Sequence, residues 1–142
     1  MSKTSLAAAI LLLSAAAMPA HAQSSIAGRW VTENNRAVVN IQPCGNAFCG
    51  RVERILVDEP GAADARDRRN PDPSLRDRRI VGSRILWGFT RNGNAYSGGR
   101  LYDPESGRTV DGRLALNGNR LRVTGCVLGG TICRTQNWTR RR

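Results

Sequence analysis

Residues 91–126 read RNGNAYSGGRLYDPESGRTVDGRLALNGNRLRVTGC, and this stretch decides the fold. Three turn signals divide it: Asn92-Gly93, Asp103-Pro104-Glu105-Ser106-Gly107 and Asn117-Gly118-Asn119. Asn-Gly between alternating runs marks a tight hairpin, because its central positions need a positive φ that Asn and Gly tolerate. A proline followed by an exit glycine marks a second kind of turn. Between these signals the side chains alternate. Val110, Leu114 and Leu116 oppose Asp111 and Arg113, and Leu121 and Val123 oppose Arg120, Arg122 and Thr124. A period of two is that of an antiparallel strand with one face buried.

The same pattern extends in both directions. Upstream, strands are expected at residues 29–33, 36–42, 48–57 and 80–89, and downstream at 131–140, with 95–102, 109–116 and 120–126 between them. Helical periodicity is nearly absent after Gln23. Eight strands joined by mostly short sequential turns predict an all-β, antiparallel, up-and-down meander that closes into an eight-stranded barrel, since closure removes both edges. An immunoglobulin-like sandwich is the alternative, but it needs longer cross-sheet connections than these.

Residues 1–22 read as a signal peptide: Lys3, an apolar run from Leu6 to Ala17, and Ala20-His21-Ala22 before Gln23. About a dozen apolar residues are too few to cross a bilayer, which takes about 20. No cysteine follows the cleavage site to carry a lipid, and no later stretch is apolar enough to span. The expectation is a periplasmic or secreted single domain over residues 23–142. Export makes the four cysteines disulfide candidates. Of three connectivities, Cys44–Cys49 with Cys126–Cys133 is favoured, each closing a turn and each worth roughly 2 kcal/mol. Their spacing does not match a zinc knuckle, so no metal and no cofactor is expected.

Cleavage also removes the only lysine and the only histidine, Lys3 and His21. Of the 22 basic residues one is Lys3, so 21 arginines then face 11 carboxylates, a net +10. A histidine general base, a Ser-His or Cys-His pair and a Schiff-base lysine are all excluded. Catalysis would have to run on carboxylates alone, and the expectation is that the protein is not an enzyme. The connection 58–79 breaks the rule of short turns: it holds three prolines, six acids and six arginines and is neutral overall. The excess charge therefore lies on the strands.

Arg54 shares parity with Val52, Arg100 with Tyr96 and Tyr102, and Arg134 with Trp138. If that parity is inward, guanidinium groups line the lumen and need an anionic partner. Arg54, Trp87, Arg100 and Tyr102 are accordingly the candidate ligand-binding residues. In the long connection Asp67, Asn70, Leu75 and Arg76 are the candidate lid residues, with Leu75 plugging a barrel end and Arg76 pairing with Asp67. The expected function is binding of a small anionic or amphipathic ligand without catalysis. The alternative is an envelope protein-interaction module or inhibitor using a basic outer face. Seven aromatic residues without an interleaved stacking platform argue against specific nucleic-acid binding.

Gly28-Arg29-Trp30 near the start and Trp138-Thr139-Arg140 at the end resemble the lipocalin and avidin-like barrels. That resemblance implies that the Trp30 ring packs beneath Arg140 and latches the barrel's two ends. A wider set of motifs runs in order: Pro43-Cys44-Gly45, Cys49-Gly50, Asn70-Pro71-Asp72, Leu75-Arg76-x-Arg78, Val81-Gly82, Gly98-Gly99, Tyr102-Asp103-Pro104-x-x-Gly107 and Gln136-x-Trp138-x-Arg140. Together they resemble the exported bacterial family catalogued as domain of unknown function 2147. Residues 95–98, Ala-Tyr-Ser-Gly, depart from its pattern, which has a tryptophan before the glycines. The resemblance implies a small lipocalin-like barrel and brings no activity or ligand with it.

Overall fold

Alternation and turn chemistry produce eight strands in the computed structural model, which describes residues 14–17 and 24–142. The expected signal peptide falls outside the described residues except at 14–17, which carry no regular secondary structure. The strands are β1 (Gly28–Val31), β2 (Ala37–Cys44), β3 (Ala47–Ile55), β4 (Arg84–Asn92), β5 (Ala95–Asp103), β6 (Arg108–Asn117), β7 (Arg120–Val127) and β8 (Ile132–Arg141). Each pairs antiparallel with the next, and β1 with β8, so the sheet is a closed up-and-down barrel. Cys44–Cys49 staples the β2–β3 turn and Cys126–Cys133 the β7–β8 turn.

This topology gives the barrel two unlike ends. The tight β2–β3, β4–β5 and β6–β7 turns share one end with the chain entering β1. That end is sealed by Ile26, which is fully buried. Its amide donates to the Tyr96 hydroxyl at 3.3 Å, and its carbonyl accepts from Trp30 Nε1 at 2.8 Å. Arg140 on β8 lies over the Trp30 ring, 4.3 Å from its centroid. The same guanidinium donates to the carbonyls of Ala27 (3.0 Å) and Ser25 (2.8 Å). Gly28, at φ +127°, leaves room for it, since a Cβ there would sit 3.1 Å from Arg140 Nη1. The β1–β2, β3–β4, β5–β6 and β7–β8 connections form the other end, the loop end.

The interior is packed with side chains. Trp30, Val39, Ile41, Leu86, Phe89, Tyr96, Leu114, Leu116, Leu121, Val123 and Trp138 form one buried cluster. Phe89 is fully buried within it. A Cβ at Gly99 would run into its ring, and one at Gly112 would lie 2.7 Å from its Cζ. Those two positions make room for the ring, and larger residues there would compete for the same volume.

The lumen carries no arginine among its buried residues, which corrects the parity reading. Two one-residue bulges account for it. In β3 the register shifts between the Val39–Val52 and Val38–Arg54 pairs, so Arg54 lies opposite the outward Val38. In β5 it shifts between Tyr96 and Gly99, so both point inward and Arg100 turns out. Arg54 and Arg100 are exposed, and Arg100 forms an ion pair with Asp111 at 2.6 Å. Trp87 pairs with Arg100 on the outer face and carries Arg84 over its ring at 5.0 Å. Arg134 keeps the parity of Trp138 yet is exposed, because β8 pairs with β1 only through Thr139–Arg141.

Candidate functional site at the loop end of the barrel

The long β3–β4 connection is ordered as a small ribbon. Arg66 and Arg79 form a bridge, the Asp67 amide donates to the Arg78 carbonyl (2.9 Å), and that of Ile80 to the Ala65 carbonyl (2.9 Å). Its tip is shaped by Asn70 and Asp72. Asn70 Oδ1 accepts from the Asp72 amide at 2.9 Å, and Asp72 Oδ1 caps the short turn Pro73–Leu75 through the amide and hydroxyl of Ser74. Both residues precede prolines, which biases them to extended backbone.

Polar groups anchor this ribbon to the barrel. Asp67 is 1 % exposed and Asn70 is 6 % exposed, and they are its buried residues. Asp67 Oδ1 accepts from the Tyr102 hydroxyl, and Oδ2 accepts from Asn70 Nδ2 and Arg78 Nε, both at 2.9 Å. The Arg78 guanidinium also lies 5.8 Å from the Tyr102 ring centroid. Tyr102 has the outward parity of Arg100, so its burial comes from the ribbon lying against it. Gly107 (φ +73°) completes the contact, since a Cβ there would collide with the Arg69 carbonyl.

Two expectations for this segment are corrected. Leu75 is half-buried in the Pro73–Leu75 turn and is not part of the core cluster, so it does not plug the barrel. Arg76 donates from Nε to the Asn70 carbonyl at 2.8 Å, and the partner of Asp67 is Arg78. Folding the segment about residues 72 and 73 sets 67 opposite 78, as it sets 66 opposite 79. That symmetry was readable in the sequence and names the right arginine.

The electrostatics of the cluster follow from its geometry. Burial pushes the Asp67 carboxyl up, but hydrogen bonds from Tyr102, Asn70 and Arg78 together outweigh it and hold the carboxyl below its usual range. Burial, reinforced by the Asp67 carboxylate, pushes the Tyr102 phenol up to about 12. A carboxylate with depressed folded pKa stabilises the fold above its unfolded value of about 3.9 and loses that contribution as pH falls. A phenol with raised folded pKa stabilises it below its unfolded value of about 10 and loses that contribution as pH rises towards 12. Thermal melts are therefore expected to be flat between about pH 5 and 9 and to fall on both sides. Tyr102→Phe should abolish the alkaline fall; if it leaves that fall unchanged, the assignment to Tyr102 fails.

Beside this anchor lies a groove of about 420 Å3 lined by Arg36, Arg66, Arg68, Arg69, Pro104 and Glu105. Three connections of the loop end build it: β1–β2 supplies Arg36, the ribbon supplies three arginines and the β5–β6 turn supplies Pro104 and Glu105. Arg36 pairs with Glu105, and Arg69 donates to the Glu105 carbonyl. Arg68 pairs with Asp77 at 2.6 Å, and Arg66 donates to the Asp77 carbonyl at 3.0 Å. Four guanidinium groups thus border a space that a single carboxylate lines. None of the four arginines was singled out from the sequence, where mixed charge in the neutral 58–79 segment signals only solvation. A second groove, of about 250 Å3, is bordered by Arg29, Val38, Glu53, Arg54 and Arg141 on the barrel wall. Arg54 therefore contributes to an outer groove. Among the described residues no group of three or more His, Cys, Asp or Glu is placed to hold a metal ion.

The sequence profile of the family described as uncharacterized protein conserved in bacteria, DUF2147, matches residues 28–140. The chain belongs to this family. Every strand pairing that closes the DUF2147 barrel falls on the matched span or within one residue of it. Among solved structures it is similar to protein HP1028 from Helicobacter pylori, described as belonging to the lipocalin family. The TM-score is 0.74 with 23% identity, over 83% of this chain and 84% of that one. At that identity the likeness shows a shared lipocalin-type barrel. No curated protein matches the chain.

Proposed function

We propose that this DUF2147 protein is exported and binds a small multivalent anion without chemistry, in the loop-end arginine groove and not in the lumen. The observation that carries this reading is the set of four guanidinium groups around one space with one lining carboxylate. Arginine suits such a ligand, because its planar fork pairs bidentately with carboxylate or phosphate and stays charged at any physiological pH. The anchor at Asp67 supports the site by fixing the ribbon from which three of the four arginines project. It also speaks for binding over catalysis. Asp67 has accepted three donors and Tyr102 holds its proton too tightly for general-base work at neutral pH. Export is supported by two disulfides and the signal-like leader.

Isothermal titration with inorganic triphosphate tests this reading. Saturable one-site binding is expected, weakened by at least about tenfold in Arg68→Ala/Arg69→Ala, with loss of charge-assisted contacts worth about 1.5–3 kcal/mol each. Arg100→Ala is expected to leave it unchanged, since Arg100 sits on the outer wall with Asp111. Equal affinity in Arg68→Ala/Arg69→Ala would sink the groove assignment.

A further inference from the structure

Three large apolar side chains are well exposed among the described residues: Val127 at 38%, Leu128 at 73% and Ile132 at 57%. All three belong to the β7–β8 hairpin, at or beside its turn, within the Cys126–Cys133 staple. Leu128 is held at φ +54°, a left-handed conformation that a bulky residue rarely adopts, and Gly129 and Gly130 follow it at positive φ. Nothing in the core is gained by that arrangement, because Leu128 packs against none of it. β7 is paired with β6 up to Cys126, but the β8 edge of the hairpin has no strand beside it near the tip. β8 meets β1 only through Thr139–Arg141, and residues 132–137 are exposed throughout.

The charge behind this tip is one-sided. Arg108, Arg113 and Arg134 lie on the part of β6 and β8 nearest the tip, and the acid among them, Asp111, is paired with Arg100. All three arginines are exposed, and Arg113 Nη2 reaches to 4.0 Å from Cys126 Sγ at the base of the tip. An apolar point backed by arginine is the arrangement that inserts side chains at a membrane interface and holds anionic headgroups behind them. Three side chains are too few for a stable protein interface, which takes about 800 Å2 per partner. At a bilayer, by contrast, each side chain contributes singly.

We propose that the stapled β7–β8 tip docks on an anionic phospholipid bilayer, with Leu128 and Ile132 entering the interface and Arg108, Arg113 and Arg134 facing the headgroups. This is a peripheral contact, distinct from the groove and independent of what the groove binds. Among the described residues the barrel and its closing contacts lie within residues 24–142, and the chain from residue 23 is the protein to use.

Co-sedimentation with vesicles of mixed phosphatidylglycerol and phosphatidylethanolamine, against vesicles of phosphatidylcholine, reads the contact. Binding to the anionic vesicles is expected at least about tenfold above the neutral ones, falling with added salt. Leu128→Ser/Ile132→Ser changes only exposed positions and should fold normally, while its partition to anionic vesicles drops by about ten- to a hundredfold. Vesicle binding unchanged by that substitution would mean charge alone and overturns the proposal. So would failure of the unsubstituted chain to bind, including the case in which it forms a dimer that the substitution abolishes.

Discussion

Phe89→Ala is expected to cost about 3–5 kcal/mol, towards the upper end of that range, and to lower the melting temperature by roughly 15 °C. The ring is fully buried and lies against Gly99 and Gly112. Relaxation normally recovers part of such a loss when neighbours move into the space. Here two of the facing positions are Gly99 and Gly112, which have no side chains to move. The hole therefore persists, and its lining loses contacts outright. A double-mutant cycle makes the point sharper. Gly99→Ala alone should destabilise by about 1–3 kcal/mol through overpacking, because the three atoms nearest its Cβ all belong to the Phe89 ring. Combined with Phe89→Ala, the added methyl meets no ring and partly fills the gap. The double variant should be more stable than the sum of the single costs by about 1–3 kcal/mol. Additive costs, measured by urea melts, would mean that ring and glycine do not compete for one volume.

Asp67→Ala is the second large effect, at about 3 kcal/mol. The substitution leaves the Tyr102 hydroxyl, the Asn70 amide and the Arg78 guanidinium around a void without their shared acceptor. Tyr102→Phe removes one donor and should cost less, about 1–2 kcal/mol. The cost should be felt locally first. Six arginines of the 58–79 connection are tryptic sites, and the anchored ribbon protects them. Limited trypsinolysis at neutral pH should therefore cut Asp67→Ala rapidly between residues 66 and 79 while the barrel persists. A ribbon that stays as resistant as the unsubstituted one would show that Gly107 and Glu105 hold it without the carboxylate.

Strand existence was legible because turn chemistry is local: Asn92-Gly93, Asn117-Gly118 and Asp103-Pro104 each fix their hairpin from a few residues. The Cys44–Cys49 and Cys126–Cys133 pairs were legible for the same reason, each lying across a turn. Side-chain facing was less so. Arg54 and Arg100 were assigned inward by unbroken alternation, and a single extra residue in β3 and in β5 reversed them. Gly98, at φ +76°, is the one sequence mark of the second bulge, and a glycine pair in a strand is a reason to restart the count. The loop end was least legible. Tyr102, Asp67, Asn70 and Arg76 were named from the sequence and do come together with the ribbon, and Arg78 follows from folding the segment on itself, but Gly107 and the groove around the four arginines depend on contacts between segments far apart in the chain. Composition saw only six acids against six arginines. Their pairing leaves three guanidinium groups beside Arg36 of the β1–β2 connection around one groove, which no net charge reveals.

The barrel is filled with side chains, and the proposed ligand site lies outside it, at the loop end. Arginine side-chain Nε–Hε resonances followed by NMR during titration with inorganic triphosphate test it most directly. Saturable shifts at Arg36, Arg66, Arg68 and Arg69, with the indole signals of Trp30 and Trp138 unmoved, are the predicted result. Shifts centred on Trp30 and Trp138, with the groove arginines silent, would contradict it and place the ligand in the lumen.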